Sequence, residues 1–339
     1  MATSSQSSRA EHPPELAQEL EHLDAEGYVV LRGVFSPEKV QALRKRLEEL
    51  HAEEGPRAGE FGRGLIRERY LRTSPFKLWL LDSAYRVLEL TLHLLFRLLP
   101  SLQQFFRAYR SAPYPYGETT PWRRELRQMV VCAIEKLDEP CDRRLCDLVN
   151  KGEVFDEVYM HPRVLPLVEH LLGDDFRLSS LNVRSPGKDG PMQGMHVDFP
   201  FAARPGSYYA CNVLFLLDDM DATNGATRVI PGTHTSGTMP QHGMEDIRAD
   251  HPDQIVIEAA AGDALLLNGH VWHGGTVNHS GGSRTLIQCY YVHRAHPPQQ
   301  YQELQLRDEV RRRLGPEALA MLNADLDPSE RGGQGPGAG

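Results

Sequence analysis

Apolar residues recur every three or four positions through most of the first half of the chain. From residue 176 onward they are gathered into short dense runs instead. The first pattern predicts amphipathic helices and the second predicts strands. Residues 15–50 open with an amphipathic helix, continue through a strand in GYVVLRGVF and enter a second helix in SPEKVQALRKRLEEL. Ser36 is a natural N-cap and Pro37 suits the first helical position, where its missing N–H costs nothing. Residues 51–74 are rich in Gly and charge and predict a loop.

The run SPFKLWLLDSAYRVLELTLHLLFRLLP is bounded by Ser74-Pro75 and Pro100. Its polar residues Asp82, Arg86, Glu89, His93 and Arg97 fall three or four apart, on one narrow stripe of a long helix whose remaining surface is apolar. Five interruptions of this kind argue against a transmembrane span. The expected role is a helix buried in the fold or in a dimer interface; the alternative is a hydrophobic lid or a membrane-surface helix, that is, peripheral membrane contact through residues 75–99. SLQQFFRAYR continues the helical pattern past Pro100, and YPYGETTPW reads as a connector. Residues 122–173 read as helices again, WRRELRQMVVCAIEKL and then RRLCDLVNKGEVFDEVYMHPRVLPLVEHLLG, ending at Gly173.

Beyond residue 176 the runs FRLSSLNVRS, MQGMHVDFPF, YYACNVLFLLDD, ATRVIPGTH, IVIEAAAGDALLLNG and RTLIQCYYVH are β-branched or aromatic and separated by Gly, Pro and Asp-Asn turns. Six or more strands without an intervening helix predict an antiparallel barrel or sandwich such as a jelly roll, with helices packed outside, hence an α+β fold. The expected organisation is one domain over residues 15–326. It has a mainly helical part to 175 carrying an insertion at about 64–125, a double-stranded β-helix (jelly-roll) core over 176–295, and a C-terminal helical segment over 296–326. Residues 1–14 and 327–339 read as disordered ends.

Composition narrows the function. Apolar residues make up 40% of 339 positions, enough for a substantial core. A net charge of -9 with no long basic run argues against a nucleic-acid surface. The five cysteines, Cys132, Cys141, Cys146, Cys211 and Cys289, include no CxxC pair. Neither a disulfide framework nor a cysteine-rich zinc site is expected, and a reducing, cytoplasmic setting fits. The stretch MATSSQSSRAEHPPE lacks the apolar segment of a signal peptide, so the Asn278-His279-Ser280 sequon is read as chance. No GxSxG, P-loop or GxGxxG signature is present.

In GMHVDFPF, His196 and Asp198 are two apart on a predicted strand and therefore share a face. An imidazole and a carboxylate on one face suit a first-row metal, and a second His would complete a facial triad with open positions, the arrangement of non-haem Fe(II) oxygenases. NGHVWHGGTVNHSGGSR offers His270, His273 and His279. Strand geometry leaves both His270 and His273 open.

The chain resembles the phytanoyl-CoA dioxygenase family of Fe(II)- and 2-oxoglutarate-dependent oxygenases. The resemblance is carried, in family order, by GYVVLRGVFSPEKVQALRKRL, FDEVYMHPRVLPLVEHLLG, the HVD core, LDDMDATNGATRVIPGTH and AGDALLLNGHVWHGGTVNHSGGSR. It implies His196, Asp198 and His273 as metal ligands, and Arg284, eleven residues after His273, as the arginine that grips 2-oxoglutarate through two parallel charge-assisted hydrogen bonds. His270 and His279 are then ordinary loop residues, and His234 of IPGTH is structural. Asn182 and Arg184, which share a strand face, resemble co-substrate or substrate positions, and Asn212 lies on the face that lines the barrel. Family members commonly carry a Ser two residues after the distal His; Gly275 stands there in this chain, with Thr276 beside it as a substitute. The insertion at about 64–125 has no family counterpart known to us, and substrate selection is assigned to it.

The implied reaction couples the conversion of 2-oxoglutarate and O2 to succinate and CO2 with hydroxylation of an unactivated carbon in a small metabolite, a secondary-metabolite intermediate or an apolar substrate among the options. Oxidative desaturation or cyclisation would use the same site. Related halogenases replace the carboxylate with a small residue, so Asp198 speaks against halogenation. The competing classes are a non-catalytic metal- or ligand-binding jelly roll and a zinc hydrolase-like cupin; Arg284 at the co-substrate spacing favours the oxygenase, since a plain metal-binding barrel has no need of it.

Overall fold

The computed structural model describes residues 16–54, 75–99 and 142–325, except positions 191, 203 and 301. Helix α1 (Ala17–Glu26) leads through Gly27 into strand β1 (Tyr28–Leu31), and helix α2 spans Pro37–Glu54. Ser36 caps α2 as expected, its Oγ accepting the Lys39 N–H at 3.3 Å. The helix runs four residues into the segment read as a loop, because Arg46 ties Glu49 and Glu53 along its exposed side at 3.0 and 2.9 Å.

Helix α3 (Pro75–Leu98) stops just before Pro100, which disfavours helical geometry in the residue preceding it. Burial of this helix is not what its described side chains show. Phe76, Trp79, Leu80, Val87, Leu90, Leu94 and Leu98 are 53–70% exposed, and Leu92 is buried. Among the described residues no helix is long and apolar enough to cross a membrane. The expected disordered ends, the greater part of the 51–74 loop, the segments SLQQFFRAYR, YPYGETTPW and WRRELRQMVVCAIEKL, and most of the 64–125 insertion lie outside the described residues.

The helix expected through RRLCDLV is replaced by strand β2 (Asp142–Leu145) and two short 3-10 turns. Two backbone positions interrupt the helical pattern: Asp147 sits at φ 60 and Gly152 at φ 148. The Asp147 N–H is taken by Asn182 Oδ1 at 3.2 Å, which fixes the break. Helix α4 (Leu165–Leu172) then ends at Gly173, as the sequence predicts.

The remaining strands are β3 (Phe176–Pro186), β4 (Ala210–Leu216), β5 (Thr227–Ile230), β6 (Ile255–Val256), β7 (Ala264–Asn268), β8 (Trp272–Gly275) and β9 (Leu286–His293). They form a six-stranded sheet in the order β1-β7-β4-β9-β3-β2 and a three-stranded sheet in the order β6-β5-β8, with every named pairing antiparallel. Short helices α5 (Asp308–Arg313) and α6 (Pro316–Met321) close the described chain.

Period-two alternation in the large sheet sorts its side chains into two cores. Cys211, Val213 and Phe215 of β4, Ala264 and Leu266 of β7, and Ile287, Cys289 and Tyr291 of β9 pack against Leu23, Leu43, Leu47, Phe155 and Leu167 of the helical layer. Leu214, Leu216, Leu265, Leu267 and Leu286 point the other way and meet Val229, Ile257 and Val271 between the sheets. Both faces of β4 are therefore buried, which is why ACNVLFL reads as a continuous apolar run rather than an alternating one. This is the expected jelly roll with helices outside.

Arg228 of β5 is fully buried and binds four carbonyl oxygens. Nη1 donates to Ala249 O and Gln254 Oε1 at 2.9 and 3.0 Å, and Nη2 to Gln193 O and Ile247 O, each at 3.2 Å. It pins the stretch before His196 and the 247–254 loop to the small sheet.

Candidate metal and co-substrate site

MQGMHVDFPF does not form the regular strand expected. It makes a single antiparallel bridge, His196 opposite His273 on β8, in which each residue's N–H donates to the other's carbonyl at 2.9 and 3.0 Å. Two residues later along this segment, the Asp198 N–H donates to Gly269 O at 2.8 Å. The approach is close enough to demand glycine. A Cβ on Gly274 would lie 2.8 Å from Gln193 O, and one on Gly269 would lie 2.6 Å from the Ala210 Cβ.

His196, Asp198 and His273 each present one ligand atom, and these atoms lie within 4.8 Å of one another. The imidazoles are oriented by identical devices: Nδ1 of His196 bonds Gly194 O and Nδ1 of His273 bonds Val271 O, both at 3.0 Å. Each Nε2 is thereby left as the lone-pair nitrogen facing the carboxylate, His196 at 3.8 Å from Asp198 Oδ1 and His273 at 3.5 Å from Oδ2. Asn212 of β4 donates Nδ2 to Asp198 Oδ2 at 2.7 Å, and the Tyr290 hydroxyl donates to the Asp198 carbonyl at 2.9 Å. The donor set, two imidazoles and a carboxylate on one side, fits a first-row divalent metal with positions left open.

The three groups sit on the wall of a cavity of about 110 Å³. Arg284, 4% exposed, also lines it and donates Nη2 to Gly225 O at 2.7 Å. Asn212, Thr276 and Arg184 are on the same wall. Thr276 Oγ1 donates to Ala226 O at 3.1 Å. Asn182 shares the strand face but is not on that wall; its Oδ1 accepts from Asp147 N and Gln300 Nε2 at 3.2 and 3.3 Å.

The geometry separates the histidines that spacing could not. His279 is exposed in its turn. His270 is 2% exposed, lies beside Phe199, Tyr208 and Tyr209, and accepts the Tyr209 N–H on Nε2 at 3.3 Å. Burial pushes its imidazole down to about 4. His234 is buried against α1, its Nε2 meeting Asp24 O at 3.2 Å, and burial lowers its pKa as well.

Because the His270 ring is held neutral when folded but binds a proton near pH 6.5 when unfolded, its contribution to stability is intact above that value. It is lost as pH falls from there toward 4. Between about pH 7.5 and pH 5 this one ring is expected to remove about 2 kcal/mol, read as a shift in the urea midpoint. His270→Gln should flatten that part of the slope, and an unchanged slope would count against the assignment.

The phytanoyl-CoA dioxygenase (PhyH) family model matches residues 23–286 of the chain. The chain belongs to the phytanoyl-CoA dioxygenase family. Within it, the chain is 28% identical over 187 residues to dioxygenase af480 of Aspergillus fumigatus, covering 54% of this chain and 59% of that protein. It is 29% identical to the Fe(II)/2-oxoglutarate-dependent dioxygenase nvfF of Aspergillus novofumigatus, over 43% of this chain and 49% of that one. The rat peroxisomal phytanoyl-CoA dioxygenase is 26% identical, with coverage of 56% and 59%. The chain thus spans about half to three-fifths of the length of these relatives. In fold it is similar to HygX of Streptomyces hygroscopicus, solved with nickel and 2-oxoglutarate bound, at TM-score 0.51 and 15% identity over 83% of this chain and 88% of that one. The family assignment makes the cavity the natural place to look for chemistry.

Sequence reasoning did not single out Gln193, Tyr290 or Arg228. Gln193 lies three residues before His196 and lines the cavity; no motif marks it, and only the bridge to β8 brings it there.

Proposed function

We propose that this chain is an Fe(II)- and 2-oxoglutarate-dependent dioxygenase that hydroxylates an unactivated carbon of a small metabolite. One observation carries the reading: His196, Asp198 and His273 converge on a cavity that the buried guanidinium of Arg284 also lines. Two imidazoles and one carboxylate would hold the iron, leaving open positions on the cavity side. Bound there, the iron supplies the oxidative chemistry that couples decarboxylation of 2-oxoglutarate to oxidation of the substrate.

The chain's own residues do the rest. Asn212 fixes the plane of the Asp198 carboxylate through the 2.7 Å hydrogen bond, so neither oxygen is free to turn away. Arg284 offers a fixed positive charge in a desolvated wall, which selects a co-substrate with a carboxylate at its far end. Gly274 and Gly275 leave the β8 wall without side chains where a guest would approach the triad. Retention of Asp198 favours hydroxylation over halogenation, and membership of a dioxygenase family supports an oxygenase over a passive metal-binding barrel.

The test is direct. Anaerobic addition of Fe(II) and 2-oxoglutarate to the native protein should give a weak visible charge-transfer band, and admission of O2 should release succinate even without substrate. A native protein that binds neither iron nor 2-oxoglutarate would remove the oxygenase reading.

A further inference from the structure

We propose that helix α3 is a self-association surface, pairing along its outward face with α3 of a second copy of this chain. Phe76, Leu80, Ser83, Val87, Leu90 and Leu94 recur at alternating steps of four and three residues, which is the spacing of a coiled-coil seam. The five apolar members of this series are 53–70% exposed. On the opposite side of the helix Leu92 is buried and Leu88 and Leu95 are half-buried. A helix that is apolar on both sides has no face suited to water, so the outward one needs a cover.

The hydroxyls on this side are spent inside the helix. Ser83 Oγ donates to Trp79 O at 2.8 Å and Thr91 Oγ1 to Val87 O at 2.6 Å, so a dry contact would strand neither donor. Area then favours a second copy as the occupant. With Trp79 and Leu98, at 62% and 66% exposure, the five seam residues present an apolar surface on the order of 800 Å². Monomers rarely carry contiguous apolar patches above about 300–600 Å², whereas a stable interface takes about 800 Å² from each partner. A two-fold pair would use the same residues on both copies and needs no other surface. A lipid surface fits less well. Interfacial helices are rich in Lys and Arg, but the charges along α3 mix signs, Asp82 and Glu89 with Arg86 and Arg97, and the chain carries a net -9.

Sedimentation equilibrium on the full chain should show a concentration-dependent monomer–dimer distribution. Val87→Glu and Leu90→Lys each place a charge in the middle of the seam at a position that is 64% or 70% exposed, where the fold of the protomer does not depend on the native side chain. Each should raise the dimer dissociation constant about 30-fold or more, with the far-ultraviolet circular dichroism spectrum of the native protein retained. Native protein that stays monomeric at every concentration overturns the proposal. If such a monomer then co-sediments with phosphatidylcholine vesicles, a lipid surface is the occupant of this face; if it does not, no second copy or membrane covers it. A native dimer that survives both substitutions unchanged places the interface elsewhere and overturns the proposal as well. None of these outcomes depends on the oxygenase reading.

Discussion

His273→Ala is expected to abolish the visible band formed with Fe(II) and 2-oxoglutarate, and His270→Ala is expected to retain it. The two residues are three apart in one short turn and strand, and both are buried, at 5% and 2% exposure, so burial does not distinguish them. Direction does. The His273 Nδ1 bond to Val271 O aims Nε2 at Asp198, 3.5 Å away, next to an imidazole whose ring centroid is 4.4 Å distant. The His270 ring is instead packed among Phe199, Tyr208 and Tyr209, with its Nε2 already accepting a backbone N–H.

Loss of a group that merely orients a ligand typically weakens metal binding by about 10- to 100-fold. Loss of one of three ligands should exceed the upper end of that range. His270→Ala should cost stability through the small cavity it leaves, on the order of 1–3 kcal/mol, while iron affinity stays close to native. If His270→Ala removes the band and His273→Ala spares it, the ligand set is wrong.

The second large effect is expected at Arg284. Replacing it by Ala should raise the Kd for 2-oxoglutarate by about 100- to 1000-fold, in line with the about 3–5 kcal/mol that follows removal of one partner from a buried charge pair. Metal affinity should be little altered, because Arg284 hydrogen-bonds Gly225 O and is not one of the three clustered ligand groups. Arg284→Lys should recover only part of the loss, since an ammonium presents a point charge where the guanidinium presents a planar fork. Titration of 2-oxoglutarate into metal-loaded protein reads both variants. A Kd within about 3-fold of native for Arg284→Ala would show that the co-substrate is held elsewhere.

Much of this was legible in the sequence because it depends on spacing. The capped helix at Ser36 and the dense runs of the barrel strands follow from local periodicity, whereas His196 and Asp198 come together through a single bridge to β8 and not through the regular strand that the spacing predicts. The choice between His270 and His273 is not local either, since it turns on which ring faces the bridge between His196 and β8. The β2 strand was hidden for a related reason. DRRL has no strong strand signature, and its pairing with the C-terminal end of β3 is a tertiary contact that overrides the helical look of its neighbours. The place of Gln193 on the cavity wall was likewise invisible, because its hydrogen-bond partners come from β8 and β5, about 80 and 35 positions away.

The reciprocal backbone pair between His196 and His273 has a consequence for the empty protein. The two histidines proposed as ligands are carried by peptide groups that already hold each other, and their rings are set by carbonyls two residues back. Little chain entropy is left for a metal to remove, so chelation should strip the ion without unfolding the barrel, in contrast to small zinc domains that exist only when loaded. Selection among divalent ions then falls to ligand chemistry and supply, with the fold acting as a rigid mould that accepts whichever first-row ion reaches it.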